Sequence, residues 1–167
     1  MNAQTLYKDV FLTERYFIKG NVSPLNGRLS NFLDSQKRRF LRLQDAMITD
    51  LEDASQTPVP SLLMNTGEIL FAHELIESGG DVFRKHHRPD FDLDYVKMVL
   101  RGAQGVTLRG KIRPESLDND TFGNSFIVLQ QPRMDSLHEA LQGEIDLLGS
   151  MSYLIVNKAK IGYVFKY

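Results

Sequence analysis

Apolar side chains recur at every second position in three blocks, and the three blocks occur twice in the same order. Residues 16–24 (Tyr-Phe-Ile-Lys-Gly-Asn-Val-Ser-Pro) align without gaps on residues 106–114 (Val-Thr-Leu-Arg-Gly-Lys-Ile-Arg-Pro). Phe40-Leu41-Arg42-Leu43-Gln44 aligns on Phe126-Ile127-Val128-Leu129-Gln130, and residues 62–71 align on 154–163. A period of two is the mark of a strand with one buried face, so Tyr16, Ile18 and Val22 are expected to point inward, like Val106, Leu108 and Ile112. Gly20 and Gly110 fall at the same place in the two copies, where glycine is unfavourable unless the strand bends, bulges or meets another backbone. Val10-Phe11-Leu12 and Met98-Val99-Leu100 supply a preceding strand. Each copy is thus expected to have about five short strands, with Ala46-Met47-Ile48 a strand of its own.

Two stretches follow a helical period instead. Leu29, Phe32 and Leu33 stand at i, i+3 and i+4, and so do Leu137, Ala140 and Leu141. Their counterparts in the other copy, residues 117–123 and 57–60, are polar or proline-rich, so the helices are decorations that differ between copies. Gly79-Gly80 and Arg88-Pro89 punctuate a polar stretch between the copies. The reading is a first repeat over 1–78, a linker over 79–92 and a diverged second repeat over 93–167.

Composition narrows the function classes. The 167 residues carry 20 Lys+Arg against 21 Asp+Glu, a net charge of −1, so the basic excess expected of a nucleic-acid binder is missing. With no cysteine there are no disulfides, thiolate metal sites or thiol nucleophiles. No apolar run approaches the roughly 20 residues of a membrane helix, and the polar opening is not a signal peptide. A cytoplasmic protein without membrane contact is expected.

The bent glycine strand, residues 40–46, and the closing apolar hairpin together resemble the Sm-like branch of small SH3-type barrels. Residues 14–20, 27–33, 40–46 and 63–65 also resemble a family of short bacterial proteins of no established function. The resemblance implies a mainly β chain of two tandem small SH3/Sm-like barrels, each with a short helical decoration. It does not carry over an RNA site: Asp118 and Asn124 lie too far from Gly110 and from each other, and neither Asn65-Thr66-Gly67 nor Asn157-Lys158-Ala159 holds the basic pair of Sm-like RNA binders.

The candidate chemistry is sparse. His73-Glu74 is similar to the opening of a zinc-protease helix, but position i+4 is Glu77 rather than His, which leaves an ordinary exposed histidine at a strand end. His86-His87 with Asp90, Asp92 and Asp94 is the densest set of ligand-type residues, and solvated linker charges account for it; no metal or cofactor is expected. Asn65 and Asn157 suit hairpin turns with left-handed backbone. No nucleophile elbow and no phosphate-binding glycine loop occurs, so no enzyme is expected. Two basic runs, Lys37-Arg38-Arg39 and Arg84-Lys85-His86-His87-Arg88, stand beside Phe40 and Phe83 and make the alternative reading RNA binding. Tyr163, Phe165 and Tyr167 share one parity at the end of the chain; buried they are core, exposed they are an interface. The first reading is a non-catalytic interaction or assembly module with a protein partner or further copies of itself.

Overall fold

The computed structural model describes residues 6–23, 27–34, 39–76, 92–102, 106–118, 125–135 and 138–167. The chain is mainly β. The first half forms β1 (Asp9–Leu12), β2 (Tyr16–Val22), helix α1 (Leu29–Asp34), β3 (Phe40–Asp50), β4 (Gln56–Asn65) and β5 (Phe71–Glu74). The second forms β6 (Asp94–Leu100), β7 (Thr107–Ile112), β8 (Phe126–Met134), helix α2 (Ile145–Ser150), β9 (Tyr153–Asn157) and β10 (Ile161–Lys166). The 79–92 linker lies outside the described residues except for Asp92.

The ten strands among the described residues form one antiparallel sheet in the order β10-β6-β7-β8-β9-β5-β1-β2-β3-β4. Counted within each half, that order is the same: fifth strand, first, second, third, fourth. The expected pair of closed barrels is corrected, because the sheet stays open. Closing the first half would require β5 to meet β4, but β5 pairs instead with β9, Phe71 opposite Val156 and Ala72 opposite Ile155. β4 and β10 are left as the sheet edges.

The junction strands are buried on both faces, as a central strand must be when apolar layers cover it on each side. Every residue of β1, β5 and β9 is buried. Alternate residues of β1 serve different cores: Val10 and Leu12 pack with Leu108, Leu129 and Leu154 of the second half, whereas Phe11 packs with Ile18, Leu41 and Leu43 of the first. Each core therefore contains side chains of both halves. On β2, Ile18 and Val22 are buried as expected, but Tyr16 is exposed and Phe17 is fully buried from the opposite parity.

The two aligned glycines mark aligned bulges. Pairing of β2 with β3 shifts register between Lys19 and Asn21, and pairing of β7 with β8 shifts between Arg109 and Lys111. Across each gap stands a residue of positive φ, Asp45 (50°) or Gln131 (49°). An extra residue bends the strand without ending it, so 40–44 and 46–48 are one strand rather than two. A Cβ on Gly110 would lie 2.6 Å from the Gln130 carbonyl oxygen and 2.8 Å from Leu129, whereas one on Gly20 would meet the Ala46 side chain at 3.3 Å. Gly110→Ala is expected to cost about 1–3 kcal/mol in urea unfolding, as overpacking does, and Gly20→Ala clearly less. Equal costs would mean that the close approach does not decide the glycine.

The helices fall partly where the spacing put them. α1 matches, with Leu29 and Leu33 buried. In the second half a 3-10 turn over Glu139–Glu144 runs into α2, later than residues 135–141 suggest, burying Leu141 and Leu148. No helix among the described residues is long and apolar enough to cross a membrane.

Candidate functional site

Two features stand out, the β5–β9 junction and the two open edges that resemble its parts. At the junction, Glu74 ends β5 with its side chain buried. Its carboxylate accepts hydrogen bonds from the Leu29 backbone N–H at the start of α1, from Arg28 Nη1 at 3.1 Å and from Tyr153 Oη at 3.2 Å. Arg28 is 4 % exposed and Glu74 3 %. The triad ties together α1, β5 and the first residue of β9, so it spans both halves. Beside it, the His73 ring meets the Tyr153 ring edge-on at 4.7 Å. Burial lowers the His73 pKa to about 4, so the imidazole is neutral at physiological pH. His73 is corrected from an exposed strand-end residue: β5 is flanked by β1 and β9, and both cores cover it.

On β1, Asp9 accepts from the Val22 backbone N–H at 3.1 Å. Burial, reinforced by the charge of Glu74 and opposed by the Val22 hydrogen bond, raises its pKa to about 6. At the other end of the junction Asn157 Nδ2 donates to the Ile69 carbonyl oxygen at 2.9 Å, while its Oδ1 accepts from Ala159 N–H at 3.0 Å. Asn65 makes the matching cap with Gly67 N–H at 2.9 Å. Both asparagines have extended backbone, φ −68° and −74°, so their shared role is to cap a 3-10 turn; the left-handed reading is corrected. Further ties across the halves run from Lys19 to Glu144 (2.6 Å) and from Lys160 to Glu14 (3.3 Å).

The edges carry apolar side chains into solvent. On β4, Leu63 is 59 % exposed; on β10, Tyr163 is 69 % and Phe165 50 %, and Tyr167 just beyond is 76 %. The parity that Tyr163, Phe165 and Tyr167 share is therefore the exposed one. A cleft of about 670 Å³ runs beside β4, with Ile18, Ile48, Leu62, Leu63 and Met64 in its lining and Arg15 and Asp50 also contributing. Pro58 and Pro60 lie in the first half of β4. Proline lacks the N–H that a new strand would accept and is confined to edges, so only residues 61–65 are free of this block.

Of the basic runs, Arg39 is described and exposed, with its carbonyl oxygen accepting from Thr66 N–H at 2.9 Å, and Phe40 beside it is 57 % exposed. Lys37, Arg38, Arg84, Lys85 and Arg88 lie outside the described residues, as do His86, His87 and Asp90. Asp94 pairs with Lys166 at 3.0 Å. The sequence reading missed Arg28, Asp9 and Tyr153, and set Glu74 aside with the zinc-protease comparison. The available signal was a charge at each end of short apolar runs, Asp9 before Val10-Phe11-Leu12 and Glu74 after Phe71-Ala72.

The fold and these features define an open antiparallel sheet protein with a built internal seam and two apolar edges. In comparison with known proteins, no family model, curated protein or solved structure matches the chain.

Proposed function

We propose that the chain is a non-catalytic interaction and assembly module that works by adding strands at its sheet edges, each half being a diverged SH3/Sm-like unit. The observation that carries the reading is the pair of exposed apolar edges, Leu63 on β4 and Tyr163 and Phe165 on β10. An edge strand offers unpaired backbone groups, and proteins that do not use an edge blunt it with charge, proline or a cover. Here proline blunts the first half of β4, while Leu62-Leu63-Met64 on β4 and Tyr163-Val164-Phe165 on β10 are apolar. Strand addition supplies main-chain hydrogen bonds for affinity and alternate side chains for specificity. The shared strand order and the matching bulges at Gly20 and Gly110 support the likeness between halves.

Light scattering at low and high salt, with absorbance at 260 and 280 nm, tests the module. The expected particle is free of nucleic acid, heavier than the 19.1 kDa chain and unchanged by salt, since apolar contacts are not screened. A clean monomer would overturn assembly. Nucleic acid that stays until salt strips it would move the function to Lys37, Arg38 and Arg39, because phosphate contacts weaken steeply with salt.

A further inference from the structure

Beyond strand addition at the edges, we propose that the outer face of β10-β6-β7-β8 is a docking site for an extended acidic segment of a partner protein, apolar at one end. Register places four side chains of that face in one row across the strands. Phe165 stands opposite Lys97, Lys97 opposite Arg109, and Arg109 opposite Arg133. Val96, Met98 and Leu108, which alternate with the row along β6 and β7, point the other way into the core. The row therefore faces outward, and Phe165 at its end is 50 % exposed. Tyr95, two residues before Lys97, lies on the same face with its ring 6.0 Å from that of Tyr167.

Such a row destabilises the chain that carries it. Like charges directly opposite each other in a sheet repel, and here two such pairs stand in succession, Lys97 with Arg109 and Arg109 with Arg133. Among the described residues one carboxylate is in ion-pair contact with the row, Asp135 on Arg109 at 2.8 Å. Three cations against one carboxylate leave an excess of two positive charges, on a chain whose net charge is −1. An anion seated on the row relieves that repulsion as it binds.

The corresponding row of the first half indicates which anion. Lys19 aligns on Arg109, and pairing then puts His73, Val10 and Met47 in the places of Phe165, Lys97 and Arg133. That row is covered by protein: Val10 packs with Leu108 and Leu129 of the second half, and the Glu144 carboxylate neutralises Lys19 at 2.6 Å. In both halves the aligned cation is thus met by a carboxylate. The covered row keeps a single fixed cation, whereas the uncovered one has three beside an exposed aromatic ring. Strand spacing sets the pattern of the segment. Neighbouring strands lie about 4.8 Å apart, so Phe165 to Arg133 spans roughly 14 Å, and alternate residues of an extended chain advance roughly 6.8 Å. An apolar residue on Phe165 therefore brings an acidic residue two positions later between Lys97 and Arg109, and one four positions later onto Arg133.

Fluorescence anisotropy of a dye-labelled peptide of that pattern, Leu-Ser-Glu-Ser-Glu, tests the site on the full chain. Wild type is expected to bind it and not the neutral counterpart Leu-Ser-Gln-Ser-Gln. Lys97→Gln and Arg133→Gln are each expected to weaken binding by about 3-fold, as loss of an exposed ion pair does, and by about tenfold together. Lys166→Gln removes the same charge from β10, but Lys166 has the opposite parity to Phe165 and pairs with Asp94, so binding should not change. Absence of binding, or equal weakening by Lys166→Gln, overturns the docking site. A single-stranded oligothymidylate that displaces the peptide with the same dependence on Lys97 and Arg133 also overturns it, because the row then serves phosphates. Both row variants are expected to unfold at a urea concentration no lower than wild type, since each removes a like-charge contact. Lower midpoints for both would overturn the repulsion on which the site rests.

Discussion

Arg28→Met is expected to lower the unfolding free energy by about 3–5 kcal/mol, the usual cost of removing one partner from a buried ion pair. The loss arises because a buried carboxylate loses the guanidinium that pairs with it, leaving the Leu29 N–H and the Tyr153 hydroxyl as its hydrogen-bond donors among the described residues. Glu74→Gln alone should cost a comparable amount for the reverse reason, a guanidinium left without its carboxylate in a site where Arg28 is 4 % exposed. Combining Arg28→Met with Glu74→Gln should recover much of the loss: no unpaired charge remains, and the amide oxygen still accepts at the start of α1. That non-additivity is the signature of a coupled pair, and it separates the ion pair from mere packing. Urea unfolding of wild type, both single variants and the double variant measures it. Single variants within 1 kcal/mol of wild type would show that the pair does not hold the seam. Typical domains have only about 5–15 kcal/mol to lose, so the loss would reach function as well, because the seam sets the spacing of the two edges.

What was legible in the sequence was local. Alternation over residues 16–22 and 107–112 located β2 and β7, and the recurring glycine located both bulges. Leu29 and Leu33 located α1. What was not legible was pairing between halves. Period-two patterning says which face of a strand is buried but not which strand lies beside it, and a barrel closed through β4–β5 has the same local pattern as an open sheet joined through β5–β9. His73 was misread for that reason. At the end of a short run it looks exposed, and only the approach of β9 buries it. Ala46-Met47-Ile48 reads as a strand of its own in the sequence, whereas Asp45 at φ 50° makes a bulge that joins it to residues 40–44 in one strand. The apolar parity at Tyr163 and Phe165 has the same ambiguity, since core and interface use the same residues and only the neighbours decide.

Stability should be nearly independent of pH between 4 and 6 as far as Asp9 and His73 are concerned, because their contributions oppose each other. Folding raises the Asp9 pKa from 3.8 to about 6. Asp9 therefore contributes stability that is fully present below pH 3.8 and is lost as pH rises through about 6. Folding lowers the His73 pKa from 6.5 to about 4. Its contribution is fully present above pH 6.5 and is lost as pH falls through about 4. Over the shared window the native state holds one more proton than the unfolded chain at Asp9 and one fewer at His73, so the slopes cancel. Each shift of roughly 2 pH units corresponds to about 3 kcal/mol. The neighbouring charges are Glu74 and Lys8 at Asp9, with Arg28 and the Tyr153 hydroxyl completing the cluster through Glu74. Removing one member exposes the other. His73→Phe, which installs the residue found at the aligned position 165, should leave a protein that loses about 3 kcal/mol between pH 4 and 6.5. Asp9→Asn should instead gain about as much over the same range. Relative to wild type the two curves should diverge in opposite directions in urea titrations at half-unit pH steps. Parallel curves for all three proteins would mean that neither group titrates differently in the folded state, and that the polar cluster beside the seam is electrostatically silent.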